Sequence, residues 1–378
     1  MRIIVSGSTR RQHRRTPAGA ATIAALAFVL VAGAACDRNP PAPAARESLD
    51  RSGGATLATV RTIEVEENDA VVNVTPRLRA DPRGGFLVFD QRESQIRHYS
   101  SAGKLLWFAG RRGDGPGEFR SVAGAARMPS GEIVAIDREG RLTFFDADGR
   151  QVLRTTETKL ARVTDLEVVD ASTLLISGVG DGGDDGPRLH VWNVAADTIT
   201  TAFFAPSAHQ KNKVAAGAMG FVMAAVRGDT LAATFGSSDT IYFFTRDGRD
   251  AGRVALNSRH FRPAPEAGAD GATLTDRPKQ AEWLSRFDIV ADVDWLPDGG
   301  LLIAYQSIEP RAAMDRRWHL LGQDRAGVRR FEVRDVSSLV VGTDPVSGTV
   351  IFVPADADAP NRWAVARLPA HPPVPANR

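Results

Sequence analysis

A chain of 378 residues with 47 Lys and Arg against 45 Asp and Glu, 43% hydrophobic and 24% charged residues is built like a soluble, core-forming protein, not a disordered, collagen-like or polytopic membrane one. Its single cysteine rules out an intramolecular disulfide framework and any paired-cysteine zinc site. Residues 1–35 hold five arginines (Arg2, Arg10, Arg11, Arg14 and Arg15) and no acid, so the rest carries 42 basic against 45 acidic residues and lacks the positive field that nucleic-acid binding requires.

The arginines precede an uncharged run over residues 16–35, rich in Ala and including Ile23, Leu26, Phe28, Val29, Leu30 and Val31. That layout predicts a secretory signal over residues 1–35. The run ends in Gly33-Ala34-Ala35-Cys36. Ala34, Ala35 and Cys36 resemble the lipobox of bacterial lipoproteins, although Gly33 stands where that motif usually has Leu. The resemblance implies a diacylglyceryl group on the Cys36 thiol; the other reading is an ordinary signal cleaved near Ala34. Residues 36–56, with Pro40, Pro41, Pro43, Gly53 and Gly54, offer little for a core and read as a flexible tether.

From residue 57 onward one module recurs six times, a short Gly, Asp, Pro or Ser turn followed by a strand of four or five residues. The copies are DPRGGFLVFD (81–90), MPSGEIVAID (128–137), VDASTLLISG (169–178), VRGDTLAATF (226–235), LPDGGLLIAY (296–305) and DPVSGTVIFV (344–353). Between Phe86, Ile133, Leu174, Leu231, Leu301 and Val350, the first apolar residues after each turn, the spacings are 47, 41, 57, 70 and 49. Such a repeat of short strands signals a β-propeller blade. The second copy fills out to four strands, at 122–128, 132–136, 142–146 and 151–155. No helical period runs through 11 or more residues, so the fold is read as all-β: six four-stranded antiparallel blades over residues 57–370, with a tail at 371–378. The sixth copy supplies only three strands, and the orphan segment 57–65 is expected to complete it, closing the ring.

The stretch GGFLVFDQRESQIRHYSSAGKLLWFAGRRGDGPGEF, followed by SGEIVAIDREGRLTFFDADG, resembles NHL-type six-bladed propellers. Asp114 to Phe119 match that family's inter-blade Gly-Pro-Gly segment, and Asp90, Ile96, Tyr99 and Gly103 its strand pattern. The resemblance is specific over about two blades and implies architecture more than activity.

The connections divide unequally. Turns from first to second strands are tight, whereas long segments fall between blades (110–120, 205–217, 257–286) and between second and third strands (178–188, 306–317, 354–362). Both long kinds lie on one rim of a propeller, which is therefore the expected binding face. Segment 257–286, with His260, Phe261 and Trp283, reads either as a lid or docking arm over the channel mouth or as a disordered excursion. Asp181, Asp184 and Asp185 in one rim loop and Asp356 and Asp358 in another are oxygen-rich candidates for Ca²⁺, which takes 6–8 oxygen ligands. Neither has EF-hand spacing, and solvated turns are the other reading.

Three inner strands carry charges at every second position: Arg77 and Arg79, Asp165 and Glu167, Asp292 and Asp294. Alternation puts each pair on one side of its strand. They either line the channel for a small polar or anionic ligand, as His260 would at the rim, or tie blades together. G-x-S-x-G, H-E-x-x-H and P-loop signatures are absent and the seven histidines are scattered, so no residue is assigned a catalytic role. Propeller lactonases are similar in architecture and hold calcium through Glu, Asn and Asp from inner strands; that resemblance implies Glu167, Asp165 and Asp292 as ligands here, but no Asn accompanies them. The expectation is an exported, lipid-anchored binding module of the bacterial cell envelope that needs no cofactor. Its partner is an envelope protein, a peptide or a small polar ligand, and its membrane contact is the lipid. The alternative is a hydrolase or lyase with a divalent cation in the channel.

Overall fold

The computed structural model describes residues 57–68, 73, 76–206, 220–264, 276–308, 316–336, 339–344, 347–353 and 361–369. Strand β1 (Ala58–Glu64) precedes blade 1, which is β2 (Pro76–Ala80), β3 (Phe86–Asp90), β4 (Gln95–Tyr99) and β5 (Leu105–Ala109). Blade 2 is β6 (Val122–Arg127), β7 (Ile133–Asp137), β8 (Arg141–Phe145) and β9 (Val152–Glu157). Blade 3 is β10 (Ala161–Asp170), β11 (Thr173–Val179), β12 (Leu189–Asn193) and β13 (Thr198–Phe203). Blade 4 is β14 (Val222–Arg227), β15 (Thr230–Phe235), β16 (Thr240–Thr245) and β17 (Asp250–Ala255). Blade 5 is β18 (Ile289–Trp295), β19 (Leu301–Ile308), β20 (Arg316–Gln323) and β21 (Arg329–Val333). Blade 6 is β22 (Leu339–Asp344), β23 (Thr349–Val353) and β24 (Arg362–Arg367), to which β1 adds as the outermost strand. All pairings within the blades are antiparallel.

The six repeat copies fall on the second strands, and burial explains why these were so visible. Each second strand is covered on both faces by neighbouring blades, so β3 and β7 are buried at every residue and read as unbroken apolar runs. The outer strands β5 and β9 instead alternate half-buried with exposed residues. The core is correspondingly a set of apolar seams. Leu87 and Phe89 of blade 1 meet Ala125, Ile133 and Phe145 of blade 2, and comparable layers lie between the later blades.

Tight turns between third and fourth strands lock into the preceding blade. Gly149 takes a left-handed φ of 68°, and a Cβ built on it would stand 2.5 Å from the Trp107 ring on β5. Only glycine meets both demands. In blade 3 Asp197 holds the left-handed position (φ 54°) and accepts hydrogen bonds from Arg154 Nη1 at 2.9 Å and Thr156 Oγ1 at 2.7 Å on β9.

Ring closure follows the expectation. Ile63 of β1 pairs with Trp363 of β24, which is fully buried against Phe86 of blade 1. The Val65 N–H donates to the Asn361 carbonyl at 2.8 Å and the Glu66 N–H to the Gly103 carbonyl at 2.9 Å, so the segment also stitches blade 6 to blade 1.

Of segment 257–286, residues 257–264 and 276–286 are described. Residues 277–284 form a short helix, α1 (Arg277–Leu284), capped by the Asp276 side chain, which accepts from the Lys279 N–H. Trp283 and Leu284 are buried with Ala264, Phe287, Ile289 and Ile308. At eight residues the helix is too short to show a period. Residues 1–56, with Cys36, the signal and the tether, and Asp356, Asp358 and the 371–378 tail lie outside the described residues. No helix among the described residues is long and apolar enough to cross a membrane.

Candidate functional site

Inner strands of alternate blades supply the channel charges. Arg77 and Arg79 on β2, Asp165 and Glu167 on β10, and Asp292 and Asp294 on β18 share a side of their strands, while Leu78, Leu166 and Val293 turn into the seams. The inner strands of blades 2, 4 and 6 read VAGAAR, VMAAVR and LVVGTD, with no charge before their last residue. Gly124 on β6 lets β10 come close, since a Cβ there would lie 2.9 Å from the Leu166 nitrogen.

Across that thin strand Arg79 Nη2 stands 2.7 Å from Glu167 Oε1 and 3.0 Å from Asp165 Oδ1, and its Nη1 donates to the Leu166 carbonyl. Arg77 Nη1 donates to the Thr164 carbonyl at 3.0 Å and approaches Asp165 at 3.7 Å. On the other side Asp292 accepts from the Val293 N–H at 2.9 Å, and Asp294 accepts from the Thr343 hydroxyl. Two guanidinium groups thus face four carboxylates. Burial, reinforced by Asp165 and Asp292 and opposed by Arg79, pushes the Glu167 carboxyl up to about 8. Burial likewise raises Asp292, and burial with Asp292 and Glu167 nearby raises Asp294 further. The channel therefore keeps at least one acidic proton near neutral pH.

Among the described residues, no group of three or more His, Cys, Asp or Glu is arranged to hold a metal ion. The loop of Asp181, Asp184 and Asp185 folds as a 3₁₀ turn over Gly183–Asp185. Arg188 donates to the carbonyls of Gly183 at 3.0 Å, Gly186 at 2.9 Å and Asp184 at 2.7 Å, and Arg162 pairs with the Asp184 carboxylate. A guanidinium thus takes the carbonyls that a bound cation would use.

His260 lies away from the channel, in a second site on the long-loop rim of blade 5. This polar pocket of about 290 Å³ is lined by His260, Arg262, Ser307, Arg317, His319, Arg334 and Asp335. Asp288, 1% exposed, anchors its floor. Arg262 Nη2 lies 2.7 Å from Asp288 Oδ1, and the Arg262 N–H donates to Oδ2 at 2.8 Å. The Ser307 hydroxyl lies 2.8 Å from Asp288 Oδ1 and 2.9 Å from His319 Nε2, while the Asp335 N–H donates to His319 Nδ1 at 3.2 Å. Burial holds His319 down at about 4, so its ring is neutral. With Nδ1 accepting, the proton sits on Nε2, and the chain of donation runs from His319 to Ser307 to Asp288. A serine nucleophile needs its proton accepted by the histidine, and here the polarity is reversed.

Of the other histidines, His98 contacts Asp81 at 3.1 Å and His190 the Gly178 carbonyl at 3.3 Å, each within its own blade. His260 and His319 share the rim pocket. Asp288, Ser307, Arg262 and Arg334 carried no sequence signal, because they come from separate segments with no common spacing.

No protein-family model and no curated protein matches the chain. In solved structures the chain is similar to a crystal structure from Bacteroides fragilis NCTC 9343 named "Putative exported protein", with a TM-score of 0.54 at 12% identity, over 82% of this chain and 93% of that one. At that identity the likeness is one of fold, and it agrees with the six blades described above.

Proposed function

We propose that this chain is an exported, lipid-anchored β-propeller that serves as a ligand- or protein-binding module of the bacterial cell envelope through its long-loop rim. The observation that carries this reading is the placement of the polar pocket on that rim, where loops vary without disturbing the blades. Export and anchoring rest on the leader and Cys36, with support from the name of the similar Bacteroides structure. The test is site-specific photo-crosslinking in cells, with the crosslinker at Arg317 on the rim or at Asp148 on the opposite face. A discrete adduct from Arg317 alone supports the reading, and equal adducts from both overturn it. Cys36→Ser releases the protein from the membrane fraction if the thiol is the anchor.

A second reading, a hydrolase or lyase with a divalent cation in the channel, draws on the raised carboxyls of Glu167, Asp292 and Asp294. One metal ion per chain by plasma mass spectrometry, lost in Asp292→Asn, would favour it over the binding module.

A further inference from the structure

The charges around the blade 5 pocket do not cancel. Arg262 is spent on Asp288: its Nε and Nη2 both point at Oδ1, and Nη1 donates to the Ser285 carbonyl at 2.8 Å. Arg317 has the Asp335 carboxylate 3.6 Å away. The hydroxyl of Ser307 and both ring nitrogens of His319 are occupied in the relay to Asp288. Arg334 stands apart, with no carboxylate partner among the described residues and a buried Nε that has no hydrogen-bond partner. Asp335, beside it, holds a left-handed backbone (φ 52°), which turns its N–H toward His319 and leaves the Arg334 side chain on the pocket wall. With two ion pairs neutralised and His319 neutral, Arg334 is, among the described residues, the pocket cation that has no counter-charge.

We propose that this pocket receives the carboxylate of a small organic acid, with Arg334 as the group that binds it. A guanidinium presents paired donors that match a carboxylate in the plane. Volume and charge set the class: about 290 Å³ lies at the small end for ligand sites, and one free cation matches a monoanion. A phosphate dianion would instead face the carboxylates of Asp335 and Asp288 with half its charge unmet. A sugar acid and the carboxyl end of a peptide share the required chemistry.

The proposal rests on the rim being the binding face, and its test separates the two. The purified full chain is titrated calorimetrically with glucuronate, N-acetylalanine and inorganic phosphate, and with glucose and N-acetylalanine amide as neutral counterparts. At least one acid is expected to bind about tenfold or more tightly than its neutral counterpart and than phosphate. The better acid identifies the source as sugar or peptide. Arg334→Gln is expected to weaken that acid about tenfold or more with an unchanged melting temperature, and Arg334→Lys to fall between. Equal binding of acid and neutral compound, tighter binding of phosphate, unchanged affinity in Arg334→Gln, or no heat from either acid at about 10 mM each overturns the proposal. The comparison of acid with amide on the unaltered chain keeps the test decisive if the variants fail to fold. Loss of acid binding with the Arg317 crosslink intact sinks the pocket alone, whereas loss of the rim-specific crosslink sinks the rim reading.

Discussion

Arg79 of blade 1 reaches past the inner strand of blade 2 to place its guanidinium 2.7 Å from the Glu167 carboxylate of blade 3. Two blades that are not neighbours are thereby tied through the channel. The span is possible because the middle of β6 is Ala123, Gly124, Ala125 and Ala126.

Removing the Arg79 cation takes the counter-charge from Glu167 and leaves Asp165 with Arg77 alone, 3.7 Å away. Arg79→Met should therefore destabilise the chain by about 2–4 kcal/mol, since breaking a buried pair costs more than replacing it. Glu167→Gln added to Arg79→Met should recover part of the loss, a coupling that a double-mutant cycle in urea measures. Strictly additive effects would show that the pair does not act as a unit.

Stability should also respond to pH through the same group. A carboxyl raised to about 8 in the folded chain binds its proton more tightly there than when unfolded, so its contribution is complete below its ordinary range and is lost as pH rises toward 8. The unfolding free energy from urea titrations should fall between about pH 5 and about pH 8.5, by on the order of 2 kcal/mol, and the midpoint should fall with it. Glu167→Gln should flatten that slope. A midpoint that rises over this window contradicts the raised carboxyl.

At the blade 1–blade 2 seam, Gly149 and Gly84 form a matched pair. Both have positive φ, but a Cβ at Gly84 meets open space and one at Gly149 meets Trp107 at 2.5 Å. Gly84→Ala should cost about 1 kcal/mol for backbone conformation alone, and Gly149→Ala about 1–3 kcal/mol more from overpacking. Thermal unfolding of the two variants compares them directly, and equal costs would show that the seam yields freely.

The relay from His319 to Ser307 to Asp288 predicts chemical inertness. A fluorophosphonate probe should leave Ser307 unlabelled, and the His319 ring should titrate near 4 by NMR, with the proton on Nε2. Labelling at Ser307 would reverse the assigned proton order and restore an enzymatic reading.

What the sequence revealed and what it concealed follow from chain separation. Phe86–Asp90 and its five counterparts stood out because burial on both faces makes an uninterrupted apolar run, and Arg77 with Arg79 because a strand repeats every second residue. The rim pocket was invisible because Arg262, Ser307, His319 and Arg334 meet only after blade 5 folds against the preceding connection. Helix α1 was missed for its length, although Trp283, named in that segment from the sequence, is buried with Phe287 and Ile289 and seats it.

The closing strand also fixes a direction. β1 runs antiparallel to β24, with Ala58 beside Arg367 and Glu64 beside Arg362. As the outermost strand of its blade it begins among the tight turns and ends among the long loops. Ala58 therefore lies on the face opposite the blade 5 pocket. A pull on the chain at Ala58 would fall first on β1, the strand that seals the ring, and would load its pairing with β24 before any other strand pair of the blade.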